Sequence, residues 1–335
     1  MFHRYSRFLL LLLPMLVAAP LLAVDEVAFG LNEEGRALME QGKYAEAKAK
    51  FLEAVETDGF FSEARINAAR AAEMEDPPDW VTVKTQYLTV LTYDEENVEA
   101  ILGSGLYFVK ASDFEEAKAR LEKVIEMEGE NGAARYGLGN MYYKMKRYDQ
   151  ASAEYEKAIS LDPGAYPTAL LRVGVNEYNN NRKTKKFDKA TDYLTRFLER
   201  GKEKEDLAIA HNRLGLIHYY TKQYQKAMTH FGEAKKLDPT DYTNDFFRGV
   251  IYAQTQNLAK AEEEFKSCLE KKPGYGDAHF QLATIYQMQY RDEEAIEQYK
   301  AAAADRNFSK RSTAREKAQQ IETYLQKVKE AEGTQ

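Results

Sequence analysis

Residues 132–163, GAARYGLGNMYYKMKRYDQASAEYEKAISLDP, decide how the rest of the chain is read. Ala151 follows Gly139 after 12 residues, and Tyr155, Ala158 and Pro163 stand at offsets 16, 19 and 24. The same spacing runs from Gly35 to Ala47, Phe51 and Ala54, and from Gly215 to Ala227, Phe231, Ala234 and Pro239. It returns at Gly249, Ala261, Phe265, Cys268 and Pro273. A chain that repeats itself about every 34 residues is a stack of similar units.

The side chains of one unit explain the spacing. Leu138, Met141, Tyr142 and Met145 recur at helical intervals, Lys146–Arg147 break the pattern, and a second helical run extends from Tyr148 to Leu161. Asp162–Pro163 ends it, because proline cannot continue a helix and restrains the residue before it. Gly139 and Ala151 lack bulk, which predicts a close approach of the two helices, with Tyr148 and Tyr155 filling the space beside them. A pair of short helices cannot bury such a face alone, whereas stacked neighbours can.

A small residue, an aromatic ahead of the second helix, then Ala, aromatic, Ala and Pro at these offsets resembles the tetratricopeptide repeat. The resemblance covers nearly everything after residue 27. It implies an all-α, right-handed superhelix (an α-solenoid) of about eight helix-turn-helix repeats, whose concave surface holds a partner peptide or protein. Between residues 24 and 309 the expected repeats are 28–61, 62–95, 98–131, 132–165, 167–204, 208–241, 242–275 and 276–309. In the second, Asp76-Pro77-Pro78-Asp79-Trp80 stretches the turn between the helices. The fifth carries four extra residues between Gly174 and Ala190. The polar run 179–186 takes them up, and it reads as a solvated loop in preference to a basic hook. Residues 310–335 read as a capping helix and short tail, with Ala314, Ala318, Ile321, Leu325 and Val328 on one stripe.

The 335 residues are 44% hydrophobic and 30% charged, with net charge −7, a balance that does not favour a nucleic-acid partner. The first 23 are different in kind. His3, Arg4 and Arg7 precede an apolar run, Phe8 to Leu22, that closes at Ala23 before Asp25 and Glu26. This is the layout of a secretory signal peptide, while Pro14, Pro20 and the short apolar length oppose a lasting transmembrane helix. The expected location is therefore the periplasm or another exported compartment. Cleavage after Ala23 and retention as an anchor both stay open, and membrane contact is expected only through this segment before cleavage. The lone Cys268 has no disulfide partner and occupies a small core position.

Catalytic chemistry finds little support. GxxxxGK[ST], GxSxG, HExxH and Cys pairs are absent, so no enzyme activity, cofactor or metal is expected. His211 and His218 lie two turns apart on one helix face, but they occupy the packing stripe of Arg135 and Tyr142, and His279 repeats the first position. The acidic runs Glu262–Glu264 and Glu293–Glu294 read as solvated surface.

In the family resembled, the concave face is lined by one stripe of each first helix. Carried over, that stripe is Leu102, Leu106 and Val109, then Tyr136, Asn140 and Tyr143, then Leu171, Val175 and Tyr178. It continues through Asn212, Leu216 and Tyr219, then Phe246 and Val250, then Phe280 and Thr284. So many large apolar residues on a face turned to water mark an interaction site. Tyr136 stands beside Asn140 where the Lys of a terminal-carboxylate clamp would be, so that activity is not implied. The expected function is a protein-interaction scaffold or adaptor, with cell-envelope assembly or secretion components as partners, bound as a peptide or helix with apolar anchors. The rival is a periplasmic binding protein that stacks a glycan or small ligand on the aromatic stripe.

Overall fold

The computed structural model describes residues 24–332, all helices and turns with no strand among them. The segment read as an export signal, 1–23, lies outside the described residues. The chain divides after Phe108 into two compact units. The first contains α1 (Glu26–Glu40), α2 (Tyr44–Thr57), α3 (Ser62–Met74), α4 (Trp80–Tyr93) and most of α5 (Val98–Ala111). The second runs through α6 (Phe114–Glu128), α7 (Gly132–Lys144), α8 (Tyr148–Leu161), α9 (Pro167–Asn181) and α10 (Asp188–Leu198). It continues with α11 (Lys204–Tyr220), α12 (Tyr224–Leu237), α13 (Tyr242–Gln254), α14 (Leu258–Lys271), α15 (Gly276–Met288), α16 (Asp292–Ala304) and α17 (Arg311–Glu332). Within each unit, consecutive helices pack as hairpins, and each hairpin packs on the next.

Local chemistry starts these helices. Asp25 accepts hydrogen bonds from the amides of Val27 and Ala28, Asp79 from Thr82, Asn131 from Ala134 and Asn257 from Lys260, each satisfying an amide that has no partner within its helix. Most of the turns inside the hairpins share one device. Gly42, Ser112, Lys146, Lys222, Gln256 and Tyr290, all at the same point of their hairpins, have φ between 59° and 72°. Only Gly42 adopts that left-handed conformation without cost.

The core follows the repeat spacing. Tyr155, Phe231, Phe265 and Tyr299 are fully buried second-helix aromatics, each worth about 2–3 kcal/mol of apolar burial. They press against the small residues of the first helices. A Cβ built on Gly139 would lie 2.5 Å from the Tyr155 ring, and one on Gly215 would lie 2.7 Å from the Phe231 ring. Tyr148 does not join this packing; it is 44% exposed. Residues 182–186 are an exposed turn between α9 and α10. At the far end, α17 packs on α16 and buries Ala314, Ala318 and Ile321.

Polar groups reach further into the second unit than the sequence suggests. Asp245 on α13 is fully buried, paired with Lys235 at 2.6 Å and with Lys271. Burial alone would raise its carboxyl pKa, but the two lysines outweigh it and hold it below the usual carboxylate range. Glu264 was expected on solvated surface; it is buried, 2.7 Å from Arg248 and 3.2 Å from Lys235. Glu262 is half-buried and paired with Lys266 and Arg291. The acidic run of α14 thus binds α12, α13 and the turn before α16, because alternate acids on a helix face different neighbours.

Candidate functional site

The stripe of first-helix residues lies at several depths. Tyr143 is 40% exposed. Leu102, Leu106, Tyr136, Asn140, Val175, Tyr219, Phe280 and Thr284 are half-buried. Val109, Leu171, Tyr178, Asn212, Leu216, Phe246 and Val250 are buried. Asn212 is engaged by the next hairpin, donating to Asp241, Thr243 and Asn244. Tyr178 stacks on Phe187, and burial pushes its phenol up to about 12.

Four helices of the second unit, α7, α8, α9 and α11, enclose a cleft of about 480 Å³. The stripe contributes Tyr143, Leu171 and Val175 to its wall. Sequence reasoning missed the rest of what matters there: Tyr148, Tyr155, Arg172, Ile209 and Arg213. Tyr143 and Tyr148 meet edge to face at 5.4 Å. The Arg172 guanidinium lies 4.3 Å from the centre of the Tyr143 ring, and its Nη1 donates to Asn140 Oδ1 and the Tyr155 hydroxyl. Arg213 faces the Tyr178 ring at 5.7 Å and donates to Asn212 Oδ1, while its buried Nε has no partner.

Neither arginine has a carboxylate within ion-pair distance among the described residues, and Asp206 is the one acidic residue in the wall. Elsewhere in this unit Arg135 is paired with Glu154, Arg248 with Glu264 and Arg291 with Glu262. The wall of this cleft thus carries two arginines against one carboxylate, an excess of positive charge. The signal in the sequence is an arginine at the same position of the fifth and sixth repeats, one residue past the expected stripe.

Ile209 and Arg213 also form the wall of a second cleft, of about 350 Å³, between α11 and the start of α13. Its acids are Glu205, Asp238 and Asp241, none of which has an ion-pair partner among the described residues.

His211 and His218 are joined by His230, a residue that sequence reasoning passed over. The Nδ1 atoms of His211 and His230 lie 3.0 Å apart, and the His218 and His230 rings stack at 5.3 Å. The first pair occupies the interhelical position of Arg135–Glu154 and His279–Gln298, which makes it a packing feature. Burial, then the other two histidines, push His230 down to about 4. No group of three metal-ligating side chains with suitable geometry occurs among the described residues. Cys268 is fully buried and burial pushes its thiol up to about 12, so it is an unreactive core residue.

Models of the tetratricopeptide repeat match residues 32–76, 108–172 and 208–241, one in the first hairpins, one across the cleft and one on α11–α12. This is a tetratricopeptide repeat protein. Proteins of this family are generally non-catalytic scaffolds that bind other proteins. A tetratricopeptide repeat and J domain-containing co-chaperone of Cryptococcus neoformans var. grubii is 37% identical over 62 residues, 18% of this chain and 12% of the relative. Its counterpart in Fusarium oxysporum f. sp. lycopersici is 35% identical over 60 residues; the chain therefore spans about an eighth of either relative. Among solved structures, Pseudomonas aeruginosa pilF aligns over 70% of this chain and 98% of its own, with TM-score 0.54 and 20% identity, a likeness of fold. YrrB, described as a TPR protein with an unusual peptide-binding site, aligns over 59% of this chain and 97% of its own, with TM-score 0.47 and 24% identity.

Proposed function

We propose that this tetratricopeptide repeat protein is a non-enzymatic adaptor of the cell envelope, exported through residues 1–23, that holds a peptide segment of a partner in the cleft between α7 and α11. The observation that carries the proposal is the cleft itself. It combines two exposed tyrosines with apolar Leu171, Val175 and Ile209 and has room for side chains of a second chain. Tyrosine suits such a surface because its ring gives broad contact at low entropic cost and its hydroxyl stays hydrogen-bonded. The export part rests on the basic-apolar-small layout of the N-terminal segment. Envelope assembly or secretion components are the proposed partners.

Affinity capture from envelope extract with wild type and with Tyr143→Ala/Tyr148→Ala tests the cleft, since both side chains are exposed enough to remove without opening the core. Loss of specific partners in the variant is the expected result; an unchanged partner set refutes the cleft. Cell fractionation tests the location, and recovery from the cytosol with residues 1–23 intact refutes export. The exposed tyrosine rings also suit a glycan. Binding of purified envelope glycan with no protein partner selects that reading.

A further inference from the structure

We infer that the cleft reads charge with a direction: its ligand is an internal peptide segment that places an acidic side chain between Arg172 and Arg213 and a basic side chain over Glu205, Asp238 and Asp241. The inference rests on the peptide-binding reading and adds the chemistry that the segment must carry. The arginines are fixed before any ligand arrives. Arg172 is held over Tyr143 and tied to Asn140 and Tyr155, and Arg213 is tied to Asn212. All of these partners are neutral. Two guanidinium groups line one space in which Asp206 is the one carboxylate, and neither is ion-paired among the described residues, so they repel each other; a second carboxylate entering that space relieves the repulsion.

The second cleft has the opposite sign. Asp238 and Asp241 spend their Oδ1 atoms on the Thr240 and Thr243 turns, and Asp241 Oδ2 accepts from Asn212 and Asn244. Hydrogen bonds of this kind hold the Asp238 carboxyl below its usual range and keep it charged. Arg213 is the one cation in that wall, and it is shared with the first cleft. Because Ile209 and Arg213 belong to both walls, the two subsites adjoin, and an extended chain advancing about 3.3 Å per residue crosses from one to the other within a few residues. A purely acidic segment meets repulsion in the second cleft, and a purely basic one meets it in the first. That complementarity selects the acid-plus-base segment.

Selection from a random library of octapeptides, acetylated and amidated so that no terminal charge contributes, tests this with the full-length protein. The expected pool is enriched in an acid and a base at fixed spacing and in one order, beside apolar residues. Synthetic winners should lose affinity about tenfold or more when the acid becomes its amide or the two charges are exchanged. Arg172→Gln/Arg213→Gln should abolish enrichment of the acid, and Asp238→Asn/Glu205→Gln that of the base, with apolar enrichment kept in both. Apolar enrichment without charge preference overturns the inference and leaves the peptide cleft standing. An acid without its base overturns the directional part. Binding of peptides only when their C-terminal carboxylate is free overturns the side-chain assignment. A library with no enriched peptide overturns cleft and inference together.

Discussion

Replacing Gly139 by Ala adds one methyl group, and the structure fixes both the sign and the size of its effect. A Cβ there would lie 2.5 Å from Cδ1 and Cε1 of Tyr155, where ordinary contact begins near 3.4 Å. The ring has no room to retreat: Tyr155 is fully buried and its hydroxyl donates to Asn140 Oδ1 at 2.9 Å. Overpacking of a locked ring costs about 3 kcal/mol, and the helix-forming preference for Ala over Gly returns about 1 kcal/mol. The net loss is about 2 kcal/mol, a fall of roughly 4–8 °C in the melting of the second unit. Gly30 supplies the opposite case. It lies in α1 with nothing within 4 Å of its Cβ position, so Gly30→Ala gains about 0.5–1 kcal/mol. Thermal and urea unfolding followed by circular dichroism, with amide exchange of α7 as the local readout, measures both. The double variant Gly139→Ala/Tyr155→Leu should lose at least about 1 kcal/mol less than the two single losses added together, because the smaller side chain makes room for the methyl. If Gly139→Ala stabilises as Gly30→Ala does, the close approach of α7 and α8 is wrong, and so is the reason given for the repeat spacing.

Asp245→Asn should destabilise the second unit by about 3 kcal/mol, because two lysines keep their charge after losing the buried partner, and Lys271→Met should recover part of the loss in a double-mutant cycle. Since the Asp245 pKa is depressed on folding, its contribution is fully present above about pH 4, its unfolded value, and disappears as the pH falls through the folded one; the gap between wild type and variant should close in acid. The histidines act through the same linkage on a different range. His211, His218 and His230 all have lowered pKa values, so the stability they give as neutral groups is complete above about pH 6.5 and is lost as the pH falls toward 4. Glu233 opposes that loss and Lys226 adds to it; urea midpoints of His230→Phe should depend less on pH over this range than those of wild type. Tyr290, 91% exposed at φ 61°, should stabilise the last hairpin by about 1 kcal/mol when changed to Gly, measured by thermal unfolding.

The fold was legible because its cause is local and repeated. Gly139 facing Tyr155, Gly215 facing Phe231 and the Asp-Pro stops each encode a helix pair, and the recurrence of the pairs states how they stack. The turn residues were less legible: Gly42 announces a left-handed position, whereas Lys146 and Tyr290 take the same conformation under the pull of the helices on either side.

The site was half visible. Periodicity named Tyr143, Leu171 and Val175, because a helix face is a property of spacing. It did not tell Tyr143, open to solvent, from Tyr178 and Asn212, which neighbouring helices cover. Nor did it show which charges go unpaired. Glu264 and Arg248 look like surface residues in the sequence and pair with each other, the glutamate buried and the arginine half-buried, while Arg172 and Arg213 look like any other arginines and face a cleft without an ion-pair partner. By itself the sequence determined the helices, their pairing and the small-against-large contacts that repeat along the chain, since each depends on residues a few turns apart. The tertiary structure alone decided burial, ion pairing and the position of the unpaired arginines, since these depend on side chains that three or four different helices bring to one place.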